Sequence, residues 1–416
     1  MNLTQNEIIG FIKENDVKFI RLSFIDLDGA QKNIAVMADS FKRVIEGGYI
    51  FDGATSGLSE EGADLKLFPD LGTLHILAWR PQHGRVARFL CDVKTASGED
   101  SPFDVRRILK SVVEEYKTTG ITFSVGTGSE FYLFKTDESG NPTTEFQDRA
   151  GYFDVAPLDR GENVRREICL TLEEMGISPL SSHHEKGPGQ NEINFLSRDP
   201  LVACDNQVIF KSVVKAVATR NGLFASFMPK PSAIENGNGL SIDLKMFKDK
   251  KALFDTGDAL CDNFTAGVLS RAREICLFTN SVPNSFERLC AGDCASDINL
   301  SVTGERSAFA RYAVKNGTKR FELRSVDGAA NLYLVVALTL AAGLDGIKNG
   351  ETIASVKAGS LPRTFTEAIK EASESEFVNK TLGKEFVKRY TERKLSLAAA
   401  YEKDPVSVNA DAFRRI

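Results

Sequence analysis

The sequence predicts an α+β protein of two domains built on antiparallel sheet, and three observations carry that expectation. The chain has 416 residues, more than one ordinary hydrophobic core holds. Its first hundred residues are mostly short apolar-rich runs between turn residues, and a long amphipathic run begins only after Ser101-Pro102. Beyond that point strands and helices mix without the regular alternation of a doubly wound parallel sheet. The domains are accordingly placed at 1–102 and 103–416.

In the first domain, VKFIRLSFIDLDGAQKNIAV has two apolar-rich runs flanking Asp28-Gly29, a hairpin signal. TLHILAW and GRVARFLCDV are expected as further strands. Helical pattern is confined to the first residues and to about Ser40–Glu46. In the second domain, ITFSVGTGSEFYLFK, GQNEINFL, GLFASFMPKP, GNGLSIDLKMF, DINLSVTGE and KRFELRSVD are predicted strands. GENVRREICLTLEEMG is a helix stopped at Gly176. The runs from Leu201 to Arg220, through ANLYLVVALTLAAGLDGIKNG, and from Thr364 onward are also helical.

Composition excludes several functional classes. Hydrophobic residues make up 42% and charged residues 26%, the balance of a globular chain. A net charge of −5 and a pI near 5.7 disfavour nucleic acid as a partner, because phosphate binding needs a basic surface. No apolar run reaches the roughly 20 residues of a membrane span. MNLTQNEIIGFIKEND lacks the basic-then-apolar pattern of a signal peptide. Seven cysteines with no CxxC pair suggest neither a disulfide framework nor a zinc site. A reducing cytoplasm is the expected setting, with no membrane partner.

Acids are sparse in strands, which makes Glu130 in GTGSEFYLF and the pair Glu185 and Glu192 around HHEKGPGQNE informative. A single strand acid is ordinarily a solvated face. Three beside Gly/Pro-rich turns and the paired His183 and His184 suggest an oxygen site for Mg²⁺ or Mn²⁺, where a cation offsets carboxylate repulsion. Arg288, Arg306, Arg311, Arg320 and Arg324 fall in one stretch around Glu322. Guanidinium groups at that density suit a carboxylate or phosphate ligand held bidentately. In RFELR, Glu322 and Arg324 share one strand face and Phe321 and Leu323 the other.

FDG at Phe51–Gly53 followed by LKLFPDLGTL, then GYFDVAPLDRGENVRREICLTLEEMG, SHHEKGPGQNEINF, FMPKP, NGNGL, NSFERL, ERSAFAR and FELRSVDGAANLYL, in that order, resemble type I glutamine synthetase. The likeness runs from about Val17 to the C-terminal helices. It implies an N-terminal β-grasp domain and a catalytic domain whose curved antiparallel sheet carries helices. It also implies a homo-oligomer of stacked rings, commonly a dodecamer, in which Asp52 is donated to the ammonium site of a neighbouring subunit. The implied reaction joins glutamate to ammonia: ATP phosphorylates the γ-carboxylate and ammonia attacks the acyl phosphate. Glu130, Glu185 and Glu192 match the metal ligands near glutamate, and Glu322 matches a ligand of a second, nucleotide-bound metal. Arg288 and Arg324 match residues on glutamate and its reacting carboxylate, Arg306, Arg311 and Arg320 residues on the phosphates, with Arg311 also toward substrate. Asn236 and Gly237 match the loop that contacts the amino acid.

The chain departs from that pattern at the second metal. Gly128 stands where the family has an acid, and Ser241 and Asp243 stand where it has histidines. Glu322 is thus the remaining ligand of three. Loss of one metal removes on the order of several kcal/mol of transition-state stabilisation, about 10³-fold in rate. Asp243 either supplies an oxygen ligand from the same strand face or is a solvated acid. Cys294, beside Asp293, falls where the family has the acid that helps deprotonate ammonium. That thiol is either a neutral replacement or a nucleophile.

Three functions follow as expectations. The first is an ATP-dependent carboxylate–amine ligase acting on glutamate, or a related acid, with ammonia or another amine. The second is a catalytically silent oligomer that binds a metabolite as a regulator or scaffold. The third is an ATP-independent acyl transfer through Cys294.

Overall fold

The computed structural model describes residues 4–59, 63–292, 296–315 and 317–416. These fall into two compact units: Met1–Ile108 with Leu170–Ile177, and Leu109–Cys169 with Ser178–Ile416. The end of the helix Glu162–Glu174 and the turn after it thus group with the N-terminal unit, across a long stretch of chain.

The first unit carries the strands β1 (Val17–Ile25), β2 (Gln31–Met37), β3 (Tyr49–Asp52), β4 (Asp64–Pro69), β5 (His75–Ile76) and β6 (Arg85–Thr95). Their order is β2-β1-β6-β4-β3, with β5 on β6. Asp28-Gly29 makes the expected hairpin: β1 and β2 pair antiparallel, and Gly29 takes φ +83°. TLHILAW contributes only the two residues of β5, less strand than its apolar content predicts. The helix after Ser101-Pro102 starts at Val105. Asp104 rather than Ser101 caps it: Oδ1 accepts from Arg106 N at 2.9 Å while Oδ2 accepts from Val93 N at 2.8 Å. The buried Arg106 then bridges Asp70 at 3.1 Å and Asp92 at 3.0 Å.

The second unit is built on a sheet of β7 (Ile121–Thr136), β8 (Pro142–Phe146), β9 (Pro179–His184), β10 (Gln190–Phe195), β11 (Leu223–Ser226), β12 (Leu240–Lys248), β13 (Lys251–Ala252), β14 (Leu300–Ser301), β15 (Ala310–Lys315) and β16 (Thr318–Leu323). The main path runs β14-β15-β16-β12-β7-β10-β9, antiparallel except for β14 with β15. DINLSVTGE yields only the short β14. Strand β7 is central, and its alternate residues face opposite ways. Ser129 and Phe131 point to the core, where Gln207 of the helix Pro200–Arg220 donates to Ser129 at 2.9 Å and Phe131 packs on Phe210 and Phe227. Gly126, Gly128 and Glu130 lie on the other face, on which the site is built.

The helix Leu332–Asn349 has the length and apolarity of a membrane span, but 72% of it is buried in this core. It begins at the N-cap Asn331, whose side chain accepts from Tyr333 N at 3.2 Å, and ends at Gly350 in the left-handed region. It crosses the helix Ala259–Ser270 at a glycine contact. A Cβ on Gly346 would lie 2.2 Å from Asn263 O and 2.7 Å from Gly267 Cα, so backbone meets backbone there.

That contact generates a stability prediction. Gly346→Ala forces two helices apart and costs about 2–3 kcal/mol, the range of overpacked cores. Gly10→Ala, in the helix Gln5–Glu14 with open space around the added carbon, is neutral or gains up to about 1 kcal/mol through helix propensity. Thermal or denaturant midpoints measure both; an unchanged midpoint for Gly346→Ala would contradict the close crossing.

Candidate active site

Cross-strand register arranges the polar face of the second sheet into three rows. His183, Glu192 and Glu130 stand opposite one another on β9, β10 and β7. The next row is Ser181, Asn194, Gly128 and Ser241, small or uncharged throughout. The third is Gly126, Asp243, Glu322 and Arg311 on β7, β12, β16 and β15. An open cleft of about 1020 Å³ lies over these rows, and Glu130, Glu185, Glu192, Arg288, Arg306, Arg311, Arg320, Glu322 and Arg324 all line it.

The acidic pole is held from beneath. Glu130 Oε2 accepts from Gly239 N at 2.7 Å and from Gln190 Nε2 at 3.2 Å. Burial, then the charges of Glu192 and Glu185, push its carboxyl up to about 8. The three acids therefore repel one another across a shared space, the condition a divalent cation relieves. Glu185 and Glu192 also flank His183 Nε2, at 3.1 and 3.3 Å. Burial alone would lower that imidazole, but hydrogen bonds to the two acids lift it to about 9. Ligand-capable atoms of His183, Glu185 and Glu192 fall within 4.8 Å of one another. Glu130 lines the same cleft as Glu185 and Glu192, and three carboxylates facing one space fit Mg²⁺ or Mn²⁺.

His184 fixes the backbone at Glu185. Its Nδ1 lies 2.7 Å from Glu185 O and its Nε2 3.0 Å from Asp148 Oδ1. Both partners are acceptors, an arrangement that favours the doubly protonated ring. Burial opposes that charge, and the Asp148 hydrogen bond overcomes it, raising the histidine. Asp148 in turn accepts from Arg160 N at 3.0 Å and Gly189 N at 2.9 Å. From the sequence His184 stood out only as one of the paired histidines beside Glu185, and Asp148 was not singled out.

At the opposite pole Arg311 grips Glu322 in a two-pronged contact, Nε to Oε1 at 3.0 Å and Nη2 to Oε2 at 2.9 Å. Arg320 Nη2 reaches Oε2 at 3.3 Å, and Arg324 Nη1 bonds Oε1. Burial would raise the Glu322 carboxyl, but Arg311 and Arg324 hold it below the ordinary carboxylate range. Arg320 Nε lies 2.6 Å from Asp243 Oδ1, an electrostatic contact without hydrogen-bond alignment. Glu322 is the expected ligand of a second metal. Four N–H groups occupy its oxygens, so the residues present do not fit a cation at that point. Asp243 is likewise neither a solvated acid nor an open ligand: it is 8% exposed and paired with Arg320.

Among the other expected site residues, Arg288 is buried on the helix Pro283–Cys290 and donates Nη1 to Ser325 O at 3.0 Å. A Cβ on Gly239 would sit between Arg288 Nη2 (3.2 Å) and Glu130 Oε1 (3.4 Å), a tight fit that glycine relieves. Asn236 and Gly237 line the cleft, held by Tyr132 Oη to Asn236 O at 2.6 Å and Gln190 Nε2 to Gly237 O at 3.1 Å. Arg306 donates to Tyr152 Oη at 3.2 Å, and its carbonyl accepts from Arg324 Nε at 2.7 Å. Asp52, at the end of β3 in the first unit, is exposed; its carboxylate accepts from the Thr55 hydroxyl and from Ala54 N at 2.9 Å. Cys294 and Asp293 lie outside the described residues.

Comparison with known proteins places this arrangement. Residues 16–96 match the glutamine synthetase β-grasp domain and residues 102–412 the glutamine synthetase catalytic domain. Glutamine synthetase of Clostridium saccharobutylicum is 41% identical over 405 residues, 91% of each chain. That of Methanosarcina mazei is 41% identical over 412 residues, 93% of this chain and 92% of its own. Among solved structures, the GmaS/ADP complex superposes with a TM-score of 0.86 at 30% identity, covering 95% of this chain and 96% of that one. Plasmodium falciparum glutamine synthetase, 22% identical with a TM-score of 0.87 over 97% of both chains, shares the fold. The α+β class, with a β-grasp domain ahead of a catalytic domain, holds as the sequence led one to expect. Both domains in order, and two-fifths identity along nine-tenths of the chain, make this protein an enzyme of the carbon–nitrogen ligase type and a member of the glutamine synthetase family.

Proposed function

We propose that the protein is an ATP-dependent carboxylate–amine ligase that acts on glutamate, or a close relative, with ammonia or another amine. The observation that supports this most is the division of one cleft into an acidic pole and a guanidinium pole. Phosphoryl transfer between two anions needs both. Mg²⁺ or Mn²⁺ at Glu130, Glu185 and Glu192 supplies charge neutralisation when bound.

The remaining steps belong to the chain's own residues. Arg288 and Arg324 hold the amino-acid carboxylates, with Asn236 and Gly237 at its backbone end. Arg306, Arg311 and Arg320 hold the nucleotide phosphates, as guanidinium forks suit. A γ-carboxylate oxygen attacks the terminal phosphorus of ATP, and ADP leaves with the electrons of the broken P–O bond. The amine then attacks the acyl carbon, phosphate departs, and one N–H proton passes to a base. Asp52 of a neighbouring subunit is the assigned acceptor, in a ring assembly of the kind the family resemblance implies, and by the same resemblance Cys294 takes the sequence position of the family's ammonium-site acid.

A second reading has its own observation. Glu322 saturated by arginines is an arrangement that a silent metabolite-binding oligomer also tolerates. Calorimetry separates the two readings: the ligase binds ATP tightly with Mg²⁺ present, the silent form negligibly.

Two outcomes test the ligase. Purified protein with Mg²⁺, ATP, glutamate and ammonium or a panel of amines releases inorganic phosphate in an amine-dependent way; background release with every amine sinks the proposal. Glu192→Ala, which removes one acid of the cation pole, lowers that release about 10³-fold, several kcal/mol of lost charge stabilisation. Activity retained within tenfold would remove Glu192 from the site.

A further inference from the structure

We infer that each site of this enzyme takes one divalent cation, at the acidic pole, and that protein-borne guanidinium charge fills the place of a second. The inference rests on the proposed cation site at Glu130, Glu185 and Glu192, and concerns the opposite wall.

Three independent observations on that wall agree. Glu322 has no coordination capacity left: a carboxylate offers about four lone-pair directions, and Arg311, Arg320 and Arg324 aim four N–H groups at it. Asp243, the other acid in the row, is engaged by Arg320. The middle row cannot supply an acid either. A Cβ on Gly128 would lie 2.6 Å from both Asn194 Oδ1 and Ser241 Oγ and 2.7 Å from Glu192 Oε1, so any side chain there displaces its neighbours.

The charge balance gives the wall its use. Four guanidiniums (Arg306, Arg311, Arg320 and Arg324) face two carboxylates (Glu322 and Asp243), which leaves an excess of positive charge that does not depend on a metal. Arg320, which lines the cleft and is 6% exposed, has Nη1 buried with no hydrogen-bond acceptor among the described residues. A buried donor left unmade is costly, and the charge of an anion brought to this wall would offset that cost. A polyphosphate chain laid along this wall would meet permanent cations, whereas a second divalent ion would meet like charge.

The test uses metal-stripped full-length protein without nucleotide, titrated with Mn²⁺ and read by equilibrium dialysis and electron paramagnetic resonance. One tight Mn²⁺ per subunit, with no spin–spin broadening from a close pair, is the expected result. Two tight ions per subunit overturn the inference while leaving the cation pole standing. No tight ion overturns the cation pole, and the inference with it. In a second measurement, inorganic tripolyphosphate binds in excess EDTA with a Kd within about tenfold of its value in Mn²⁺, and Arg320→Met weakens it about tenfold or more, the loss of one charged hydrogen-bond donor. Abolition of tripolyphosphate binding by EDTA would falsify the guanidinium wall.

Discussion

The register of strand β7 against β10 on one side and β12 on the other sets the electrostatics of the whole cleft. Because antiparallel partners stand directly opposite, one registration brings Glu130 against Glu192, Gly128 against Asn194 and Ser241, and Gly126 against Asp243. A slip of β7 by one residue would turn Glu130 into the core and bring Ser129 and Phe131 to the face. The core forbids it: Ser129 is tied to Gln207, and Phe131 is enclosed by Phe210 and Phe227. The apolar side of β7 therefore fixes where the charges on its polar side stand, and packing energy is what holds three mutually repelling acids together.

Repulsion of that kind needs a scaffold that does not yield. Gly239 lets its own N–H reach Glu130 and lets Arg288 approach from the other side. The Asp148–His184 pair fixes the start of the HHE turn through hydrogen bonds to backbone on both sides. Beneath the sheet, glycine-to-glycine crossing of the helices Ala259–Ser270 and Leu332–Asn349 packs the core to backbone contact. These features share one physical logic: a rigid frame pre-orients charges, so that little reorganisation remains when a ligand arrives.

Most of the strands, the Asp28-Gly29 hairpin, the buried helix at 332–349 and the two charged clusters were legible in the sequence, because each is a local pattern of period, turn residue or charge. The pairing of Arg320 with Asp243 was not. It joins strands far apart in the chain, and in sequence Asp243 reads equally well as ligand or surface acid. The fate of Glu322 was hidden for the same reason. RFELR announces that Glu322 and Arg324 share a face, yet only the placement of β15 beside β16 brings Arg311 onto the same carboxylate. His183 stood in view in the HHE run, but a histidine two residues from an acid carries no sign of whether their side chains converge. TLHILAW misled because apolar content predicts burial, and burial here comes with only two residues of strand.

Gly128, Ser241 and Asp243 look like three separate losses when read as sequence. On the sheet they are adjacent: Gly128 opposes Ser241, and Asp243 is the next residue on that face of β12. Gly128 and Ser241 leave the middle row neutral, while Asp243 in the third row adds negative charge beside Arg320. A buried Asp243 without Arg320 would be an uncompensated charge, and Arg320 without Asp243 would press its charge on Glu322 alone. The three positions make sense together as one arrangement, in which this side of the cleft keeps a positive potential by arginines balanced against acids.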